Sequence, residues 1–92
     1  MAILISENAI HTFHTEWGLK EGQYVRIYAK YAGAGKEAFS IGINVSADPI
    51  DPALVESIGG YHFFVEESDA WILKGTQLKI DSNDDGIVLN VE

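Results

Sequence analysis

Hard oxygen ligands at alternate positions are the first residues in this chain whose spacing suggests chemistry. Asp81-x-Asn83-x-Asp85-Gly86, then five residues and Glu92, satisfies a calcium-loop formula, with Val88 where such loops place an apolar residue. Alternating carboxylates and an amide would supply ligands, Gly86 the sharp bend and Glu92 a final bidentate carboxylate. Such a loop needs a helix on each side, whereas residues 76–80 and 87–91 read as strands. Asn-Asp-Asp-Gly also has the composition of a tight β-turn, and the β-turn is the favoured reading over a calcium site.

His11 and His14 lie one helical turn apart and can share a face. Glu7 could join them, and His62 could approach from a sheet, which would make a set of metal-ligand type. The pair falls beside the apolar stripe, so surface histidines are favoured over ligands. Gly33-Ala34-Gly35-Lys36 hints at a phosphate loop. The formula requires a glycine where Lys30 stands and a Ser or Thr where Glu37 stands, so a loop between strands is expected and nucleotide binding is set aside. The serines at 6, 40, 46, 57, 68 and 82 fall in caps, wet strand faces and turns, none in a G-x-S-x-G elbow. Glu66-Glu67 and Asp84-Asp85 are adjacent acids whose side chains point apart. No catalytic residue is assigned, and the chain is expected not to be an enzyme.

The elements that must carry these residues follow from periodicity. Ser6-Glu7 is a helix start, a hydroxyl cap followed by an acid at the positive end of the dipole. Ala9, Ile10, Phe13 and Trp17 recur at helical spacing until Gly18. The period then becomes two. Val25, Ile27 and Ala29 oppose Tyr24, Arg26, Tyr28 and Lys30, and Phe39, Ile41, Ile43 and Val45 alternate with polar or small residues. Two prolines and two aspartates between 47 and 52 break the sheet. Residues 52–58 are expected to form a short helical turn before Gly59-Gly60, and 61–65 a strand. Residues 68–73 are expected to form another helical turn, with Trp71 packed inward and Gly75 ending it. Leu78 and Ile80 begin a strand, residues 81–86 turn, and 87–91 close the chain.

Composition narrows the functions available. The 92 residues predict one domain spanning 1–92. With 47% apolar and 22% charged residues, the balance is that of a globular protein. The formal charge of -8, with one arginine (Arg26) and five scattered lysines, makes nucleic acid and anionic membranes poor partners. No apolar run is long enough for a membrane helix, and residues 1–5 do not make a secretory signal. There is no cysteine. Thiolate-held zinc, a cysteine-ligated cluster, disulfides and thiol chemistry are therefore excluded, and a cytoplasmic location is expected.

The order of elements resembles the HesB/IscA-like domain family, the A-type iron–sulfur cluster carriers. The resemblance runs over residues 3–90. It includes Ile5-Ser6-Glu7-Asn8-Ala9, then Val25-Arg26-Ile27-Tyr28 before a glycine-containing loop, the strand ending Gly42-Ile43, and Gly60-Tyr61-His62-Phe63-Phe64-Val65. Leu73-x-Gly75-Thr76-x-Leu78-x-Ile80-Asp81 is the most specific piece, followed by Gly86-Ile87-Val88-Leu89-Asn90. The family's carriers use one cysteine in the loop and a Cys-Gly-Cys near the C-terminus. Ala34 is the nearest counterpart of the first, and the second pair would fall beyond Glu92. No residue inherits the metal-binding role, and the resemblance implies a cysteine-free branch.

The sequence thus predicts a mostly β fold, α+β at the margin: a HesB-like sandwich or barrel with one N-terminal helix and short helical turns. The leading function is a non-enzymatic protein, an accessory in iron or iron–sulfur metabolism that acts through protein contacts without cofactor or cluster. The alternative is a metal-binding protein using the carboxylates Asp81, Asp85 and Glu92 with Asn83, or His11 and His14. Oligomeric state is not set by the sequence.

Overall fold

The structure, a computed structural model, describes residues 2–31 and 39–91. The Gly33-Ala34-Gly35-Lys36 loop, with Ala34, and Glu92 lie outside the described residues. The elements in order are β1 (Ala2–Ile5), α1 (Glu7–Thr15), β2 (Tyr24–Tyr31), β3 (Phe39–Asn44), β4 (Pro52–Ile58), β5 (Tyr61–Glu66), a 3-10 helix η1 (Glu67–Leu73), β6 (Gln77–Asn83) and β7 (Gly86–Val91). The expected mostly β architecture is present as two mixed sheets, β1-β6-β7 and β3-β2-β5-β4. β1 runs parallel to β6 and β2 parallel to β5, while the remaining neighbours are antiparallel.

The sheets and α1 close over one core. Val25 and Ile27 of β2, Phe63 and Val65 of β5, Leu78 and Ile80 of β6, and Phe13 of α1 are all at most 1% exposed. Period-two patterning places these side chains on one face of each strand, and α1 adds Ala9 and Phe13 at helical spacing. Ser6 caps α1 as expected, its Oγ accepting the Ala9 N–H at 3.1 Å. Gly18 has φ +66°, the left-handed conformation in which glycine ends a helix without Cβ strain.

Three expectations are corrected. Residues Pro52–Ile58 form strand β4, not a helical turn. β4 pairs with β5 from Ser57↔His62 to Val55↔Phe64, and a bulge between Pro52 and Leu54 accommodates the proline at the sheet edge. Gly59-Gly60, with φ of +62° and +88°, forms the tight turn joining them, and such a glycine pair signals a hairpin. Trp71 does not pack inward. It is 47% exposed, and Leu73 fills the core from η1 instead. The turn expected over residues 81–86 is confined to Asp84-Asp85, because β6 runs on to Asn83 and pairs it with Gly86.

Candidate functional site

β2 and β5 lie side by side in parallel, so their alternate residues build one outer face away from the core. Tyr24, Arg26 and Tyr28 project from β2, with His62 and Phe64 beside them on β5 and Val55 and Ser57 on β4. The Tyr24 ring lies 4.9 Å from that of His62 and 6.1 Å, edge-on, from that of Phe64. Phe64 is fully buried although it faces away from the main core, because η1 folds back over β2, β4 and β5. Tyr24, Val55 and Trp71 remain 38–47% exposed.

Arg26, the only arginine of the chain, organises this face. Its Nη2 donates to Asp69 Oδ2 at 2.8 Å, and its guanidinium sits 5.5 Å from the Tyr28 ring centroid. Asp69 Oδ1 also accepts the Ala29 N–H at 3.3 Å, so η1 is tied to β2 through one carboxylate. The Arg26 Nε is buried without a partner among the described residues. Tyr28 lies across Gly42, where an added Cβ would come within 2.5 Å of the ring. Only glycine permits that close approach of the Tyr28 ring to the β3 backbone.

Ser57 and His62 sit opposite each other across the β4–β5 hairpin, with Oγ and Nδ1 2.6 Å apart. A hydroxyl–imidazole pair is the start of a nucleophile, but a working one also needs an orienting group and a stabiliser for the developing charge. Among the described residues no carboxylate bonds the His62 ring. Residue spacing does not single out the pair, because the sequence predicts a helical turn over 52–58. Centred on Gly59-Gly60, a hairpin places 57 against 62 by arithmetic alone.

The residues singled out by spacing do not converge. His11 and His14 are exposed on α1, and His14 Nδ1 lies 3.4 Å from the Tyr61 hydroxyl. His62 follows Tyr61 on β5 and points to the opposite face of the sheet. Asp81 is in β6, where its Oδ1 accepts from Ser6 Oγ at 2.6 Å and from the Ser82 N–H at 2.7 Å. The Ser6 bond, and after it the Ser82 bond, holds the carboxyl below the usual aspartate range. Asn83 Oδ1 accepts the Asp85 N–H at 2.8 Å, which is how an asparagine stabilises a turn. Among the described residues no three His, Cys, Asp or Glu side chains are grouped to hold a metal. A polar cleft between α1 and the β6–β7 turn, lined by Asn8, His11, Glu16, Asn83 and Asp84, is open to solvent.

Two buried acids have structural partners that spacing did not reveal. Asp69 holds Arg26, and Glu66, 7% exposed, accepts the N–H groups of Ile50 and Asp51 at 3.1–3.2 Å. The first ties η1, and the second the segment at 50–51, to the four-stranded sheet. No helix among the described residues is long and apolar enough to cross a membrane.

No protein-family model matches the sequence. The chain is 30% identical over 87 residues to the pyruvate dehydrogenase inhibitor of Bacillus subtilis strain 168, covering 92% of this chain and 90% of that protein. Its fold is similar to that of IscA crystallised with the 2Fe-2S cluster (TM-score 0.64, 16% identity, 98% of this chain and 80% of that one). It is also similar to that of Escherichia coli SufA, involved in biosynthesis of iron–sulfur clusters (TM-score 0.66, 16% identity, 99% and 79%). The likeness to these two does not extend to cluster ligation by thiolates, since the chain contains no cysteine. The chain is thus a cysteine-free protein of the HesB/IscA-like fold, and it belongs to the family of the Bacillus subtilis pyruvate dehydrogenase inhibitor.

Proposed function

We propose that this chain is a non-catalytic, cytoplasmic protein-binding domain that inhibits a pyruvate dehydrogenase by docking on it. The observation that carries this reading is the near full-length match to the Bacillus subtilis inhibitor. The outer face of β2 and β5 supplies the contact surface. Tyr, Trp and Arg dominate binding energy at protein interfaces, because they bury large area with few rotatable bonds and keep a polar handle. Here Tyr24, Arg26 and Val55 share that face, and η1, which carries the exposed Trp71, is tied to it through Asp69 and Arg26. The chain's excess of acid favours a partner with a basic rim around an apolar centre.

Titrating the purified protein into a pyruvate dehydrogenase assay from the same organism tests the reading. Pyruvate-dependent turnover is expected to fall and then saturate near a fixed stoichiometry. Tyr24→Ala is expected to raise the concentration for half-inhibition at least about tenfold, the factor that corresponds to about 1.4 kcal/mol. Unchanged turnover with no detectable complex overturns it.

A second reading is favoured by the likeness to IscA and SufA in fold. In it the domain is an accessory of iron or iron–sulfur metabolism, working through protein contacts without carrying a cluster. Binding to purified cluster-assembly proteins, with none to pyruvate dehydrogenase, would select it. Stoichiometric iron or calcium on protein purified without added metal would instead select carboxylate and histidine ligation.

A further inference from the structure

We propose that Ser57 is an acyl-accepting nucleophile, with His62 as its base, that takes a single acyl group from a thioester. The hairpin sets the pair. Ile58↔Tyr61 closes around Gly59-Gly60 alone, so these two residues exchange both backbone bonds, and alternation makes Ser57↔His62 a non-bonded pair. Side chains stand closest in such a pair, which brings Oγ to 2.6 Å from Nδ1. The backbone agrees, since the His62 N–H turns away from β4 and donates to the Gln23 carbonyl at 3.0 Å. Nδ1 is the one acceptor of the Ser57 hydroxyl among the described residues. With the neutral ring protonated on Nε2, the hydroxyl proton points at its base.

Two neighbours supply what the pair itself lacks. The Tyr24 ring, 4.9 Å from that of His62 and tilted by 37°, steadies the imidazole from β2 with no carboxylate involved. Ser57 is exposed on β4, an edge strand, and in a non-bonded pair its own N–H points out of that edge, unpaired among the described residues. The nucleophile's own N–H is one of the two oxyanion donors of serine proteases. One such donor and a base without a carboxylate behind it do not expel an amine or an alkoxide, whereas a thiolate leaves readily. Ser57 Oγ attacks the thioester carbonyl carbon as its proton passes to Nδ1, and the Ser57 N–H receives the oxyanion. The C–S bond then breaks, and the thiolate takes the proton from Nδ1 and departs as a thiol. Ser57 becomes an alkyl ester, whose alkoxide is itself a poor leaving group, so the acyl group stays. Val55, on the same face of β4 and 44% exposed, gives it an apolar neighbour.

The test uses the full chain and phenyl thioacetate as the acyl donor, with intact mass and peptide mapping followed over time. The wild type is expected to gain one acetyl group at Ser57, removable by hydroxylamine as an ester is and a lysine amide is not. Ethyl acetate is expected to leave Ser57 unmodified. Ser57→Ala should lose the hydroxylamine-sensitive adduct. His62→Gln, which can still hydrogen-bond to Ser57 but accepts no proton, should slow acetylation of Ser57 at least about a hundredfold, the lower end of what a positioned base contributes. Both side chains lie on the outer face of the hairpin, and unchanged circular dichroism is expected for the two variants. An acetyl group found only on lysines or on His62, a smaller fall in His62→Gln, or transfer from ethyl acetate as fast as from the thioester overturns the proposal.

Discussion

The two sheets meet solvent in opposite ways. The four-stranded sheet is covered on both faces, by the core beneath and in part by η1 above, and Phe64 on its outer side is as buried as Phe63 on its inner side. Among the described residues the three-stranded sheet is covered on one face only. On its other face Leu4 is 46% exposed and Lys79, Asp81 and Asn90 are exposed. Stability is therefore concentrated in β2 and β5, with η1 as part of the scaffold, while the β1-β6-β7 sheet keeps an open side on which a new contact displaces little structure.

The comparison breaks most sharply at Phe64. Phe64→Ala is expected to cost about 3–5 kcal/mol, as for a core phenylalanine, whereas Val88→Thr on the open sheet should stay within about 0.5 kcal/mol. Urea midpoints at constant slope measure both, and equal effects would dissolve the distinction. Asp69→Asn comes next. It keeps an acceptor for the Ala29 N–H but leaves the half-buried Arg26 without its counter-charge, at an expected cost of about 1–3 kcal/mol.

A smaller effect is read at the edge of the four-stranded sheet. Glu56→Val removes the inward-pointing charge from β4, and concentration-dependent association beyond that of the wild type should appear by sedimentation. The smallest effect is at Ser6. Ser6→Ala loses the cap of α1, for about 1 kcal/mol, together with the bond that lowers Asp81. A depressed carboxyl adds stability above its unfolded value that is lost as pH falls through the folded one. The melting difference between wild type and Ser6→Ala should thus narrow as pH drops below about 4.

Much of this was legible in residue order. The cap at Ser6, the stripe of Ala9 and Phe13, and the alternation through β2, β3 and β6 are local signals, since each depends on neighbours within a turn or a strand. β4 departs from its local signal for the opposite reason. Pro52, Ala53 and Glu56 are weak strand formers, and β4 is extended because β5 offers it a ladder across Gly59-Gly60. Trp71 is exposed and Leu73 buried because in η1 burial is decided by what the helix covers, not by side-chain size.

By itself the sequence determined the absence of thiol chemistry and of cysteine-ligated clusters, because no folding can supply a missing thiolate. It also determined the acidic charge and the hydrophobic periods, which are properties of residue type and spacing. Only the tertiary structure decided which residues meet. It drew Tyr24, Arg26, His62 and Asp69 onto one face from segments as many as 45 positions apart, sent His62 away from His14, and committed Asp81 to Ser6 across 75 residues. Such contacts depend on strand order and direction, which single-strand periodicity does not encode.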